Sequence, residues 1–129
     1  MVKKVLIVDD EKDILEFLSY NFIKNGWDAY TALNAKEAID KAIQYIPDAI
    51  IADIRMPEMN GIEMCRTMKN IELIKNIPIL FLTADSDECL AFSAIYAGGQ
   101  QYINKPAPIK LLIDLVKDMI EENVKLKSE

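Results

Sequence analysis

Five residues of this 129-residue chain have the types and the chain positions to do chemistry together. They are Asp9, Asp10, Asp53, Thr83 and Lys105, and each stands at or just past the end of a short, mostly apolar run. Asp9-Asp10 follows Val5-Leu6-Ile7-Val8. Asp53 follows Ala49-Ile50-Ile51-Ala52. Thr83 and Ala84 follow Ile79 to Leu82, and Asn104-Lys105-Pro106 follows Gln101 to Ile103. Three carboxylates at one rim repel each other unless a cation sits among them. Oxygen donors without nitrogen or sulfur suit Mg²⁺. A lysine and a hydroxyl facing the same point suit an incoming anion such as a phosphoryl group. Together these parts make a phosphoryl-transfer site with a carboxylate as candidate nucleophile.

Each part alone has a plainer reading. Asp9-Asp10 reads as a strand exit plus a helix cap, Asp53 as a turn residue, Thr83 as a turn or cap hydroxyl, and Lys105 as a solvated lysine. The joint reading prevails because all five fall on the same edge of consecutive elements, where random placement would scatter them.

The elements that must hold them alternate in type. Lys4 to Val8 reads as a buried strand. Asp10 is placed to cap a helix with the apolar stripe Ile14, Leu15, Leu18 and Phe22, stopped by Asn25-Gly26. Trp27 to Thr31 reads as an edge strand. Asn34 and Glu37 approximate a capping box before a helix carrying Ala35, Ala38, Ile39, Ala42, Ile43 and Ile46, ended by Pro47. Ala49 to Ala52 is a third strand, and Arg55 to Gly61 a loop. Ile62, Cys65 and Met68 mark a third helix. Ile79 to Leu82 is the fourth strand, and a fourth helix capped by Asp85 or Ser86 ends at Gly98-Gly99. Gln101 to Ile103 is the fifth strand, and a last helix opens at Pro108 and runs to about Glu122. Strict β-α alternation with fully apolar strands 1, 3 and 4 implies a doubly wound five-stranded parallel sheet covered by helices on both faces. Ligands of such sheets bind outside the carboxyl ends of the strands, where the five residues fall.

Composition narrows the function classes. With 51% hydrophobic and 28% charged residues, the chain is an ordinary globular domain, and its length suits one domain. Histidine is absent, which excludes a Ser-His-Asp triad, a Cys-His pair and a His-based zinc site. Cys65 and Cys89 lie far apart and read as reduced residues of a cytoplasmic protein. No apolar run is long enough to span a bilayer, and Met1 to Val5 lacks the apolar core of a signal peptide. With 21 acidic against 15 basic residues, nothing favours direct contact with nucleic acid.

The sequence resembles the receiver domains of two-component response regulators. The resemblance rests on Val5-Leu6-Ile7-Val8-Asp9-Asp10, on Asp53-Ile54-Arg55-Met56-Pro57-Glu58-Met59-Asn60-Gly61, on Leu82-Thr83-Ala84, on Ala97-Gly98 and on Tyr102-Ile103-Asn104-Lys105-Pro106. It covers essentially the whole chain, with residues 1–122 as the receiver domain and 123–129 as a tail or the start of a linker. It implies the flavodoxin-like strand order 2-1-3-4-5. It implies that Asp53 is the phosphoacceptor, served by a histidine kinase or a histidine phosphotransfer protein. Asp10 and Asp53 would hold Mg²⁺ directly with the main-chain carbonyl of Arg55, and Asp9 through a water. Thr83, Ala84 and Lys105 would contact the phosphoryl oxygens. Thr83 and Tyr102 would form a switch pair addressing the surface of helix 4, strand 5 and helix 5, a site for a downstream partner or homodimer contact. The Lys105-Pro106 peptide is expected to be cis, aiming the lysine inward. Apart from the resemblance, Arg55 and Asp85 each lie two residues past a site residue, Asp53 and Thr83, and are expected to screen the mouth of the pocket from water; they also read as two solvated side chains. Tyr102 also reads simply as a half-buried strand aromatic.

The resemblance has departures. Gln100 and Gln101 stand where many members carry acidic residues, so charged-pair dimerisation across that surface lacks its acids. Two other classes fit less of the chain. A small Mg²⁺-dependent phosphatase or phosphotransferase with an aspartate nucleophile normally begins its motif on the first strand and needs a cap domain. A flavin-binding protein of the same topology needs a Gly- and hydroxyl-rich phosphate loop where Asp9-Asp10-Glu11 stands.

Overall fold

Side chains of a strand point alternately to its two faces, and here both faces are apolar over most of the sheet. The computed structural model describes residues 2–84 and 88–127. The chain runs β1 (Lys4–Val8), α1 (Lys12–Lys24), β2 (Asp28–Ala32), α2 (Ala35–Tyr45), β3 (Ala49–Ala52), α3 (Gly61–Lys69), β4 (Ile79–Thr83), α4 (Glu88–Tyr96), β5 (Gln101–Asn104) and α5 (Ile109–Lys127). All pairings are parallel, in the order β2-β1-β3-β4-β5, as the sequence leads one to expect.

Two cores flank the sheet. Leu6, Val8, Ile50, Ala52, Ile79 and Phe81 face α2, α3 and α4, whose Ala38, Ala42, Met64, Met68 and Ala94 pack against them. Val5, Ile7, Ala49, Ile51, Leu80 and Leu82 face α1 and α5, meeting Leu15, Leu18, Phe22, Leu112, Val116 and Met119. The period of two within each strand thus separates the helices into two layers.

Phe81 is fully buried at the centre of the first core. It lies so close to Gly99 that a Cβ there would come within 2.5 Å of its ring. Phe81→Ala is expected to cost about 3–5 kcal/mol, because it removes a large, fully buried side chain and leaves a cavity in the core. The check is a fall in the urea midpoint at unchanged slope.

Several boundaries differ from the expected ones. Asp10 does not cap α1. The N-cap residue is Glu11, without a side-chain cap bond, and its N–H donates to Asp9 Oδ1 at 2.9 Å. The Asp10 carboxylate instead joins Asp9 and Asp53. β2 starts one residue later than expected, at Asp28, because Trp27 turns into the core and sets its ring edge against Phe22, with centroids 5.1 Å apart. α2 ends at Tyr45, with Ile46 left-handed at φ 47°. A residue before proline is disfavoured in the right-handed helical region, which accounts for the break before Pro47. Ile43 and Ile46 are exposed, so the buried stripe of α2 is its alanines. Near the expected capping box, Glu37 N–H donates to Asn34 Oδ1 at 2.8 Å, while the Glu37 carboxylate reaches Leu33 N–H at 3.5 Å rather than Asn34.

α5 does not stop near Glu122 but continues to Lys127. Its wide apolar arc is mostly covered within the domain: Leu112, Ile113, Val116, Met119 and Ile120 are buried, Ile109 and Leu115 partly so, and Leu111 stays exposed. The proposed caps Asp85 and Ser86 and the Cys89 side chain lie outside the described residues. Cys65 is a buried free thiol, and burial pushes its pKa up, which keeps it unreactive.

Candidate functional site

Main-chain bonds just past the strand ends place Asp9, Asp53 and Lys105, Thr83 is the last residue of β4, and Asp10 follows Asp9. Asp9 N–H donates to Ala32 O at 3.1 Å, extending β1 against β2. Asp53 N–H donates to Val8 O at 2.9 Å, extending β3 against β1, and Lys105 N–H donates to Thr83 O at 2.8 Å, extending β5 against β4. The carboxyl ends of β1, β3 and β5 therefore deliver their next residues, and β4 its last, to one rim. The Lys105–Pro106 peptide bond is cis.

Asp9, Asp10 and Asp53 each bring a carboxylate oxygen within 4.8 Å of the others. Among the described residues no other group of three potential metal ligands is so close. Asp9 and Asp53 are buried and Asp10 is exposed, so the cluster opens to solvent at Asp10. Lys105 Nζ lies 2.7 Å from Asp9 Oδ2 and 3.8 Å from Asp53 Oδ2. Ile54 N–H donates to Asp53 Oδ1 at 2.8 Å, and the Thr83 hydroxyl also hydrogen-bonds the Asp53 carboxylate.

These contacts set opposing electrostatic effects. Burial is the largest influence on Asp53 and raises its pKa. The Lys105 ammonium works against that, the Asp9 charge adds to it, and the Thr83 and Ile54 hydrogen bonds partly offset it, leaving the pKa raised. Burial would lower the Lys105 pKa, but its hydrogen bond to Asp9 and the charges of Asp53, Asp9 and Glu11 outweigh that and raise it. Lys105 thus stays a cation at the centre of an acidic cluster.

Beside the cluster lies a cleft of about 450 Å³ lined by Asp10, Ile54, Arg55, Met56, Asn60 and Glu63, among others. Arg55 is on its wall with an exposed side chain. Ala84 is the exposed residue directly after Thr83. Tyr102 is half-buried against the core on the α2, α3 and α4 side. Thr83 pairs in register with Asn104 and Phe81 with Tyr102, so Thr83 and Tyr102 share a face of the sheet. The expected partner of Arg55 across the mouth, Asp85, lies outside the described residues.

Sequence reasoning missed how the loop after β3 is fastened. Asn60 and Glu63 form a capping box: Glu63 N–H donates to Asn60 Oδ1 at 2.9 Å and Asn60 N–H to Glu63 Oε1 at 3.1 Å. The Asn-x-x-Glu spacing is the signal that could have found it, masked by Asn60-Gly61, which reads as a turn. Glu58 takes a left-handed conformation, φ 68°, inside that loop, and nothing in its residue type announces it.

A doubly wound parallel sheet with carboxylates, a lysine and a threonine at one rim defines the class of small signalling switches to which comparison also leads. The profile described as "Response regulator receiver domain" matches residues 5–117. The chain belongs to the response regulator receiver domain family, the phosphorylation-controlled switches of two-component systems. It is 39% identical over 106 residues to the alkaline phosphatase synthesis transcriptional regulatory protein PhoP of Bacillus subtilis, a match covering 82% of this chain and 43% of that protein. The chain thus spans less than half the length of that relative. Among solved structures it resembles the chemotaxis protein CheY4 of Vibrio cholerae, with a TM-score of 0.87, 28% identity, and 92% and 99% of the two chains covered. A CheY-like receiver domain protein of Methanospirillum hungatei superposes with a TM-score of 0.90 at 24% identity, covering 97% and 98%, a likeness of fold. No helix among the described residues is long and apolar enough to cross a membrane.

Proposed function

We propose that Asp53 is the phosphoacceptor, taking the phosphoryl group of a phosphohistidine on a histidine kinase or a histidine phosphotransfer protein. A carboxylate oxygen of Asp53 attacks phosphorus, the P–N bond breaks, and the imidazole leaves with the bonding pair. The reading is carried by one observation: Asp53 sits buried where Lys105, Thr83 and two further carboxylates converge. Phosphoryl transfer needs alignment and charge neutralisation more than covalent assistance. Ile54 N–H and the Thr83 hydroxyl orient the Asp53 carboxylate, and Lys105 supplies positive charge beside it. Thr83, Lys105 and the main chain at Ala84 would hold the phosphoryl oxygens.

The donor set fits Mg²⁺, since it is all oxygen, close-set and open on one side. Asp10, Asp53 and the Arg55 carbonyl would hold the ion directly. Both oxygens of Asp9 are already engaged, Oδ1 by Glu11 N–H and Oδ2 by Lys105, which suits contact through a water. When bound, the ion would neutralise charge on the transferring phosphoryl group. The same site would later admit water to the acyl phosphate, returning Asp53 and inorganic phosphate, with Arg55 screening the approach.

Phosphorylation would draw Thr83 inward and reset Tyr102 on the shared sheet face. The readout would be the surface of α4, β5 and α5. Phe92 and Tyr96 stand 73% and 80% exposed there, their rings stacked with centroids 6.2 Å apart, and Leu111 is exposed on α5. Exposed aromatics of this kind suit a downstream protein or a second copy. The exchange with such a donor would take place in the cytoplasm.

Removing one direct ligand charge tests the metal assignment. Asp10→Asn is expected to weaken Mg²⁺ at least about tenfold by calorimetric titration, with the fold intact, because a hard cation loses an anionic oxygen. Unchanged affinity would remove Asp10 from the ion's ligands. A chelator is expected to stop phosphorylation of the wild type by acetyl phosphate.

A further inference from the structure

The loop from Asp53 to α3 is closed by a contact that involves no side chain. Gly61, the first residue of α3, lies directly over the Asp53 main chain. A Cβ at position 61 would stand 2.2 Å from the Asp53 carbonyl oxygen, and 3.1 Å from Asp53 C and Ile54 Cα. All three atoms are backbone, so no rotamer change can clear the space.

Hydrogen bonds carry that contact to the carboxylate. Gly61 N–H donates to Ile54 O at 2.9 Å, and Ile54 N–H donates to Asp53 Oδ1 at 2.8 Å. The Arg55 carbonyl follows in the same stretch of chain. On the other side α3 cannot easily retreat. Its first turn is tied by the Asn60–Glu63 box, and Ile62, Met64, Cys65 and Met68 are buried. Helix propensity alone favours Ala over Gly inside a helix by up to about 1 kcal/mol. The helix itself gives no reason for glycine here, and the close approach does.

We propose that Gly61 is a positioning residue for phosphoryl transfer: its missing Cβ lets the start of α3 seat on the Asp53–Ile54 main chain, which fixes the direction of the Asp53 carboxylate. The inference rests on Asp53 being the phosphoacceptor. Any Cβ at position 61 pushes residues 53 and 54 away from α3 and turns the carboxylate off the line of attack. Misplacement of a reacting group by about 1 Å costs on the order of 100-fold in rate.

The test compares Gly61→Ala and Gly61→Ser with Met68→Ala, a cavity on the buried face of the same helix near its far end. Each protein is labelled with acetyl phosphate at saturating Mg²⁺, a reaction in which the Asp53 oxygen takes the phosphoryl group and acetate leaves. The Ile54 amide proton resonance reports the hydrogen bond to Asp53. Both position-61 variants should label on the order of 100-fold more slowly and shift the Ile54 amide, while folded Met68→Ala stays within about threefold of wild type and leaves that amide in place. Labelling of Gly61→Ala within about threefold of wild type overturns the proposal. So does an equal slowing by Met68→Ala, which would mark a general effect of stability. A wild type that takes no label overturns the reading of Asp53 itself, a result separable from the variants. Should neither position-61 variant fold, Asn60→Ala, which loosens the same helix start, must slow labelling and shift the Ile54 amide, and an unchanged rate there overturns the proposal.

Discussion

Asp53→Asn is expected to take up no phosphoryl group and, at neutral pH, to be more stable than the wild type. The first effect follows from chemistry: an amide keeps the shape of the side chain and lacks the nucleophilic charge. The second follows from burial, which raises the Asp53 pKa in the folded state. A carboxyl with a raised folded pKa favours folding below its unfolded pKa, where it is neutral in both states. That advantage is lost as pH rises through the folded value, because the folded state must then hold a buried carboxylate. Asparagine carries no such charge. The gain in Tm should therefore be present at neutral pH and shrink as pH falls toward the ordinary carboxylate range, near about 4. Mg²⁺ should narrow the gap from the other side. A ligand at a hundredfold excess over its Kd stabilises the form that binds it by about 2.7 kcal/mol, and the variant would lack one of the proposed ligand charges. Thermal melts of both proteins across pH, with and without Mg²⁺, check the whole pattern. A variant less stable than wild type at pH 7 in the absence of metal would contradict it.

Lys105→Ala should have the largest effect on stability among site substitutions. Lys105 Nζ is 2.7 Å from Asp9, whose side chain is 3% exposed, and 3.8 Å from Asp53. Removing the ammonium leaves two buried carboxylates facing each other without a cation. Breaking a buried pair in this way costs about 3–5 kcal/mol, and the partial exposure of Lys105 places the expected loss near about 3 kcal/mol. The raised Lys105 pKa means that its contribution is complete through neutral pH and is lost only as the solution becomes strongly alkaline. Mg²⁺ should restore part of the lost stability, since it returns positive charge to the same carboxylates. Labelling by acetyl phosphate should fall by about 10²–10³, the range for losing one preorganised charge at a developing anion. Urea unfolding with and without Mg²⁺, together with labelling rates, decides it. A stability loss that Mg²⁺ leaves untouched would show that Lys105 serves packing rather than charge balance.

The architecture and the membership of the site could be read from the sequence because both depend on strong local patterns. Val5 to Val8 and Ala49 to Ala52 are too apolar and too short to be anything but buried strands, and each ends in a residue that parallel-sheet geometry sends to one rim. The third helix was legible from Ile62, Cys65 and Met68 at helical spacing. What was not legible depends on tertiary contact. Asp10 could as well have capped α1, and its place beside Asp53 follows only from β1 and β3 pairing side by side, which brings two distant strand ends together. Trp27 has the residue type of a strand, yet the space beside Phe22 takes it into the core. The apolar arc on α5 is broad, and nothing local shows that the sheet and α1 cover nearly all of it. α5 also runs beyond Glu122, through Asn123-Val124-Lys125-Leu126-Lys127, where no glycine or proline gives a stop signal. Gly61 was readable only as a turn glycine, because nothing local reveals that the Asp53 carbonyl lies against it.

The most direct test of the account is the fate of Asp53 when the protein is offered a phosphoryl donor. After acetyl phosphate with Mg²⁺, the intact mass should rise by one phosphoryl group. Borohydride reduction of the acyl phosphate, followed by peptide mass spectrometry, should then find position 53 converted to homoserine. The modification should be absent with a chelator and absent in Asp53→Asn. A phosphoryl group mapped to any other residue, or a wild type that gains no mass in the presence of Mg²⁺, would contradict the account.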